Sequence, residues 1–292
     1  TQLHIDPRKF TTIRGADQIL GMRRKMMKFE NTEVWGFEHA LRGMRNPKES
    51  WDRSDSHYGC WEYGAYECDC DGCAKGIDRA DNCTNYNKRY IIGENDLKLA
   101  QQLIKAGSEH RKFMRQIFVS VNITAPLYWW KEFDTYKVGT VANSTSTMHK
   151  LATTPITIDC FETDDLFNTE KPIGVDRAVI DMVDAMYKQV IKTLEEIRQL
   201  YLRTKDKMYW KELIRWLPES WLQKRTVTMD YENLLGMCSK GQRRFHKLNE
   251  WSGIDKPDVP NFISWARSLP YAKELIFLDE SEGNNNASSC DK

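Results

Sequence analysis

The chain lacks the features that mark several protein classes. No apolar stretch approaches the ~20 residues of a membrane-spanning helix; the longest mostly apolar run is Ile123 to Trp130. Neither sign of charge dominates, because 43 Lys and Arg face 42 Asp and Glu for a net charge of +1. Proteins that depend on phosphate-backbone attraction carry a basic bias or patch. The basic clusters here, Met22-Arg-Arg-Lys25 and Gln242-Arg-Arg-Phe-His-Lys247, are short. Duplex nucleic acid is therefore not an expected partner, whereas a nucleotide needs only two or three placed cations. Phosphate-cradling glycine motifs, an H-E-x-x-H helix and a G-x-S-x-G turn are all missing, which removes the commonest NTPase, dinucleotide, zinc-protease and hydrolase readings. With six histidines, imidazole chemistry has few candidates. No charged-then-apolar leader opens the chain and no internal repeat runs through it, so a cytoplasmic protein without a membrane anchor is expected.

What is present suits a folded protein: 292 residues, 40% of them apolar, can bury a sizeable core. The cysteines are uneven. Cys60, Cys68, Cys70, Cys73 and Cys83 crowd one segment, while Cys160, Cys238 and Cys290 are scattered. Disulfides are not expected of a cytoplasmic chain. The spacing from Cys68 to Cys83, C-x-C-x2-C-x9-C, allows four thiolates around a structural zinc or a loop of free thiols.

Pattern and punctuation suggest an irregular start, with a short strand at Leu3–Ile5 and a helix from Asp17 to Phe29. Residues 43–90, rich in Gly, Asp, Asn, Cys and Tyr, read as long loops. A helix capped by Asn95 should carry Leu99, Leu103, Ala106, His110, Phe113 and Ile117 on one apolar face, interrupted at Gly107; His110 then reads as a core histidine. Phe118–Ile123 alternates like a strand, and Pro126 opens a helix from Leu127 to Tyr136. Helices are expected at 175–203 and from Trp210 to Leu217, a strand at Thr226–Met229, and a helix at Tyr231–Met237 behind an Asp230 cap. Between them, Lys137-Val-Gly-Thr-Val-Ala-Asn-Ser-Thr-Ser-Thr-Met-His-Lys150 packs hydroxyls, an amide and cations. Such a tract suits a phosphate site, or is an ordinary Ser/Thr-rich loop.

The order of segments across residues 94–251 adds a resemblance. Leu103-Ile-Lys-Ala-Gly-Ser-Glu-His110 resembles the LIKSGHESVLEH segment of flavin-dependent thymidylate synthases, and Ile117-Phe-Val-Ser-Val-Asn-Ile-Thr-Ala-Pro-Leu127 is similar to the strand and helix start that follow it. The family's R-Q-x-x-R-H-R-x-x-S-x-N-x-x-S-x-R run falls on Lys131, Glu132, then Thr135, Tyr136 and Lys137, then Thr140. With one inserted residue it continues onto Asn143 and Ser146, and its last Arg falls on Met148 beside His149 and Lys150. The segment from Leu213 to Leu235 looks like the family's LPxxxxTxxxxTxNxRxLxxF stretch, and Arg243-Arg-Phe-His-Lys-Leu-Asn-Glu250 is similar to its closing R…H-x-Q-x-E.

The resemblance implies an α/β fold: a mostly antiparallel central sheet flanked by helices, formed by residues 1–280 as one unit, with 43–90 a Cys-rich insertion; the tail 281–292, with Asn284-Asn-Asn286, reads from its residues as disordered. It also implies a homotetramer and reductive methylation of dUMP to dTMP, with FAD as cofactor and NADPH and methylenetetrahydrofolate as co-substrates. Arg243 or Arg244 would polarise the pyrimidine. Lys131, Lys137, Thr140, Asn143 and His149 would hold flavin, and Glu132, Ser146, Lys150 and His246 the nucleotide. Two other readings stay open: a related flavoenzyme acting on another pyrimidine nucleotide, and a nucleotide-binding relic without catalysis.

Overall fold

The computed structural model describes residues 26–60, 88–136, 138–163 and 177–280. Its centre is strand β4 (Phe118–Pro126), in which Val119, Val121, Ile123 and Ala125 are buried while Ser120, Asn122 and Thr124 face outward. That period of two is what a strand with one buried face requires. Strand β6 (Leu222–Asp230) pairs antiparallel along the whole of β4, from Phe118 opposite Asp230 to Pro126 opposite Leu222. Strand β1 (Lys28–Trp35) adds to the other side of β4, and strand β5 (Val141–Ser144) closes the far edge, giving the antiparallel order β1-β4-β6-β5. The outer face is polar, with Thr226 Oγ1 donating to Asn122 Oδ1 at 2.7 Å.

Helices cover the inner face. Helix α3 (Leu127–Phe133) follows β4 directly and buries Trp129, Trp130 and Phe133. Trp129 stacks on Trp251 at 4.5 Å between ring centres, and Phe262 closes on Trp251 at 4.9 Å. Helices α1 (Phe37–Arg45), α2 (Glu94–Lys105) and α7 (Tyr231–Met237), with the short helices α8 (Asn249–Ser252), α9 (Phe262–Arg267) and α10 (Ala272–Leu275), supply the rest of this core. A second apolar cluster, including Leu151, Ile156, Phe161, Ile191, Leu194 and Leu213, joins the one-turn helix α4 (Thr147–Lys150) and its 3-10 extension to α5 (Arg177–Thr204) and α6 (Lys207–Arg215).

Several expected boundaries move. Lys28 and Phe29 belong to β1 rather than to a helix; residues 1–25, with the Leu3–Ile5 strand and most of the Asp17–Phe29 helix, lie outside the described residues, as does the tail 281–292. Residues 43–60 are not loop throughout. Leu41, Met44 and Arg45 extend the buried face begun by Phe37 and Ala40, so α1 runs to Arg45, and two 3-10 turns lead to strand β2 (His57–Cys60). Strand β3 (Lys88–Ile91) pairs antiparallel with β2, Cys60 opposite Lys88. Helix α2 is capped at Gly93, not Asn95, because the Asp55 carboxylate accepts the N–H groups of Asn95 and Asp96 at 2.8 and 3.1 Å. Gly107, at φ 108, turns the chain out of the helix. His110 is consequently exposed, whereas Phe113, Met114 and Ile117 are buried through a 3-10 turn. On α5 the apolar residues pack only in the C-terminal half: Leu194 is buried while Val179 and Met186 are exposed.

Behind α1 lies a buried ionic node. Arg45 Nε donates to Asp96 Oδ1 at 2.5 Å, and the other Asp96 oxygen accepts from Ser54 and Ser56 at 2.6 and 2.5 Å. Arg45 also donates to the carbonyls of Ser50 and Arg53, which fixes the turns leading to β2. Burial pushes the Asp96 carboxyl up, but the two hydroxyls and Arg45 outweigh it and hold the group below the ordinary Asp value. Asp96→Ala leaves Arg45 charged and unpaired in the interior, so a loss of about 3–5 kcal/mol is expected in urea unfolding. The native pKa being depressed, this contribution is complete at neutral pH and is lost as pH falls below about 4.

Candidate functional site

The junction of β6 and α7 sets the geometry at one end of the sheet. Asp230 caps α7 by accepting the Asn233 N–H at 2.8 Å, while Asn233 Oδ1 accepts the Asp230 N–H at 3.2 Å. Burial raises the Asp230 carboxyl above the ordinary Asp value. The loop after α3 seats on this cap: Asn233 Nδ2 donates to the Val138 carbonyl at 2.8 Å. Gly139, at φ +78, crosses so closely that a Cβ would lie 2.8 Å from Asn233 Oδ1, a place only glycine occupies without strain.

Beyond α7 the chain folds back, and the Arg243 N–H bonds the Met237 carbonyl. This sets the Arg243 guanidinium against the last turn of α3. Nη2 donates to Glu132 Oε2 at 2.7 Å, and the guanidinium carbon lies 5.3 Å from the Tyr136 ring centre and 5.4 Å from that of Trp251. Its Nε is buried and, among the described residues, has no hydrogen-bond partner. Tyr136 in turn donates from its hydroxyl to Gln242 Oε1 at 3.0 Å. His246 adjoins, its ring centre 6.4 Å from that of Trp251. Its Nδ1 accepts the Leu248 N–H at 3.1 Å, so Nε2 carries the proton of the neutral ring. Burial, then the charge of Arg243, lower the His246 pKa below the ordinary histidine value. The cluster therefore offers a cation held at an aromatic wall, a carboxylate acceptor and a neutral imidazole. It is equipped to hydrogen-bond and polarise a planar polar ring.

The other expected site residues divide between the two ends of β5. Thr140 is at the Arg243 end, its hydroxyl donating to the Tyr136 carbonyl at 2.6 Å. Val141 then pairs with Thr228 and Ser144 with Arg225, so β5 carries the chain away from α7. At about 3.3 Å per residue of extended chain, Ser146 can lie up to about 20 Å from Thr140. Asn143 is exposed on β5, and Ser146 caps α4 by accepting the His149 N–H at 3.1 Å. His149 and Lys150 are exposed on that turn. Lys131 faces outward and pairs with Glu219 at 2.7 Å. Lys137 lies outside the described residues, as do Cys68, Cys70, Cys73, Cys83 and the side chain of Cys60. No group of His, Cys, Asp or Glu among the described residues is arranged to hold a metal.

Arg244 departs from its expected role. It is 3% exposed, its Nε donates to the Cys238 carbonyl at 2.7 Å, and its Nη1 reaches both oxygens of Asp279 at 2.8 and 2.7 Å. With its guanidinium against Phe277, it ties the C-terminal helices to the end of α7. Glu250 accepts from the Tyr128 hydroxyl, which also lies 3.2 Å from Glu162; burial and the two carboxylates push this phenol well up. The pattern gave no weight to Gln242 or Trp251. An aromatic that walls a cation has the same local signature as one that fills a core.

No protein-family model matches the sequence, and no curated protein does. The coordinates do match solved structures. The flavin-dependent thymidylate synthase ThyX from Helicobacter pylori, complexed with FAD and dUMP, is 14% identical and aligns over 87% of this chain and 98% of its own, with a TM-score of 0.50. The UMP/dUMP methylase PolB from Streptomyces cacaoi, bound with 5-Br dUMP, is 12% identical over 87% and 96% of the two chains, with a TM-score of 0.51. Its complex with 5-Br UMP gives 13% identity over 88% and 95%, at 0.50. The chain has the flavin-dependent thymidylate synthase fold.

Within the thymidylate synthase fold the two neighbouring arginines separate cleanly by burial. Arg244→Ala strips a buried cation from Asp279 and the Cys238 carbonyl. The half-exposed Asp279 limits the loss, so about 2 kcal/mol is expected. Arg243→Ala is expected to cost under about 1 kcal/mol. Urea midpoints of the two variants check the order.

Proposed function

We propose that the chain is a flavin-dependent pyrimidine-nucleotide methylase that converts dUMP to dTMP, with methylenetetrahydrofolate as carbon donor and NADPH as reductant through FAD. The observation that carries this reading is Arg243, a guanidinium with an unbonded buried Nε, standing between Tyr136, Trp251 and Glu132 on a fold shared with dUMP-binding enzymes. In this reading residues 1–280 act as one unit of a cytoplasmic homotetramer. Among the described residues, no helix is long and apolar enough to cross a membrane.

The described residues fit a flavin dinucleotide. Edge strand β5 is exposed at all four positions, leaving main-chain groups on its free side. The hydroxyls of Thr140, Ser144 and Ser146 flank or lie on it, and His149 and Lys150 follow. This is the donor set that a pyrophosphate and its neighbouring sugar use. FAD, when bound, supplies the hydride chemistry. Asn143 and Ser146 then orient the cofactor and nucleotide along β5, Lys131 contributes charge at the α3 end, and Lys137 is retained as a flavin-binding cation by the resemblance alone. Arg243 donates to a pyrimidine carbonyl whose oxygen gains electron density as the ring is attacked. A donor fixed there stabilises the transition state more than the ground state. His246, neutral and partly buried, offers an Nε2 donor beside it.

A second reading, a related methylase acting on another pyrimidine nucleotide, is favoured by Thr135 and Tyr136. They stand where thymidylate synthases resembling this chain have cationic and imidazole groups. PolB, a UMP/dUMP methylase, shares the fold.

Fluorescence titration with FAD should show saturable binding, and NADPH oxidation should then depend on dUMP, or on UMP in the second reading. A folded protein that takes up no FAD at high micromolar concentration would be a relic of the fold. Arg243→Ala is expected to lower turnover on the order of 10²–10³ while the protein stays folded.

For the cysteine segment we propose a structural zinc on four of Cys60, Cys68, Cys70, Cys73 and Cys83. Cys60 stands opposite Lys88 on the β2–β3 ribbon, so the segment returns to its own root. Thiolate ligation would stabilise a stretch with little apolar surface to bury. Metal analysis of protein never exposed to chelator should return about one zinc per chain, and a value far below that rejects the site.

A further inference from the structure

Arg243 and Glu132 are a pair, and their joint chemistry differs from that of a lone cation. Glu132 is the more open partner, with 42% of its side chain exposed against 16% for Arg243. A ligand entering here therefore meets an acceptor as well as a donor. A phosphate would be repelled by that carboxylate, and the pair has no net charge to attract it. A neutral ring with a hydrogen-bond donor next to an acceptor matches the pair group for group. The ring of Tyr136, half-buried beside the guanidinium, favours a flat ligand.

Resting on the pyrimidine-nucleotide reading above, we propose that Glu132 and Arg243 form one base-reading unit for uracil. The carboxylate accepts the ring N3–H, and the guanidinium donates to the carbonyl beside it. An ionised carboxylate can only accept. Cytosine presents a lone pair at N3, so it meets Glu132 acceptor to acceptor and is rejected. Glu132 is thus a specificity-determining residue rather than a spectator counter-ion. A glutamine at the same place would read both bases, because its amide turns to donate or accept.

Calorimetric titration of the full chain with dUMP and dCMP tests this. The parent protein is expected to favour dUMP by about 100-fold, the discrimination typical of a well-formed base contact. Glu132→Gln should narrow that ratio at least tenfold through tighter dCMP binding, a gain that a merely structural residue would not produce. As a second measurement, 3-methyl-dUMP, which has no N3–H, should bind the parent protein at least tenfold more weakly than dUMP. If dUMP binds the parent but 3-methyl-dUMP binds equally well, the base-reading proposal is overturned and the methylase reading stands. An unchanged dUMP-to-dCMP ratio in a folded Glu132→Gln variant has the same meaning. If the parent binds neither nucleotide, both are overturned.

Discussion

The nine-residue pairing of β4 with β6 is the constraint from which the rest follows. Because Phe118 lies opposite Asp230 and Pro126 opposite Leu222, the two strands are in register from end to end. A slip of one residue would turn Val119, Val121 and Ile123 toward solvent and bring Ser120 and Asn122 into the core. The same register fixes where each following helix starts. Helix α3 leaves β4 at the Leu222 end and α7 leaves β6 at the Phe118 end. The chain after α3 then returns across the inner face to meet the α7 cap through Val138 and Gly139. Glu132 and Tyr136, late on that path, thereby reach Arg243, which lies more than a hundred residues away in sequence.

Two buried or half-buried arginines show how context divides identical side chains. Arg244 has an anionic partner, a carbonyl and an aromatic face, all supplied by the C-terminal part of the chain, and works as a strut. Arg243 has one carboxylate, two aromatic neighbours and an unbonded Nε. An unpartnered buried N–H is uncommon in a folded chain, and it sets Arg243 apart from its neighbour. The Arg45–Asp96 node is the contrasting case. There every strong group of the carboxylate is met, and the effect is to hold the turns that lead into the β2–β3 ribbon.

Much of this was readable from residue order. The alternation from Phe118 to Ile123 marks β4, and the Asp230 cap marks the start of α7. These signals are local, since a buried strand face and a helix cap need only near neighbours. The resemblance of the Leu103–His110, Ile117–Leu127 and Arg243–Glu250 segments to flavin-dependent thymidylate synthases likewise anticipated the fold. What stayed illegible depended on distant partners. The cap of α2 comes from Asp55, the end of α1 from burial of Met44 and Arg45, and the exposure of His110 from a left-handed Gly107.

By itself, then, the sequence determined the paired strands β4 and β6, the Asp230-capped helix and the serial order that leads to this fold, because periodicity and local capping are properties of neighbouring residues. Only the tertiary structure decided which arginine is partly exposed and which is buried, and that Thr140 and Ser146 sit at opposite ends of β5. It also decided that Glu132 accompanies Arg243. Those outcomes depend on the β4–β6 register and on chain segments that approach only after the core has closed, and no spacing along the chain encodes them.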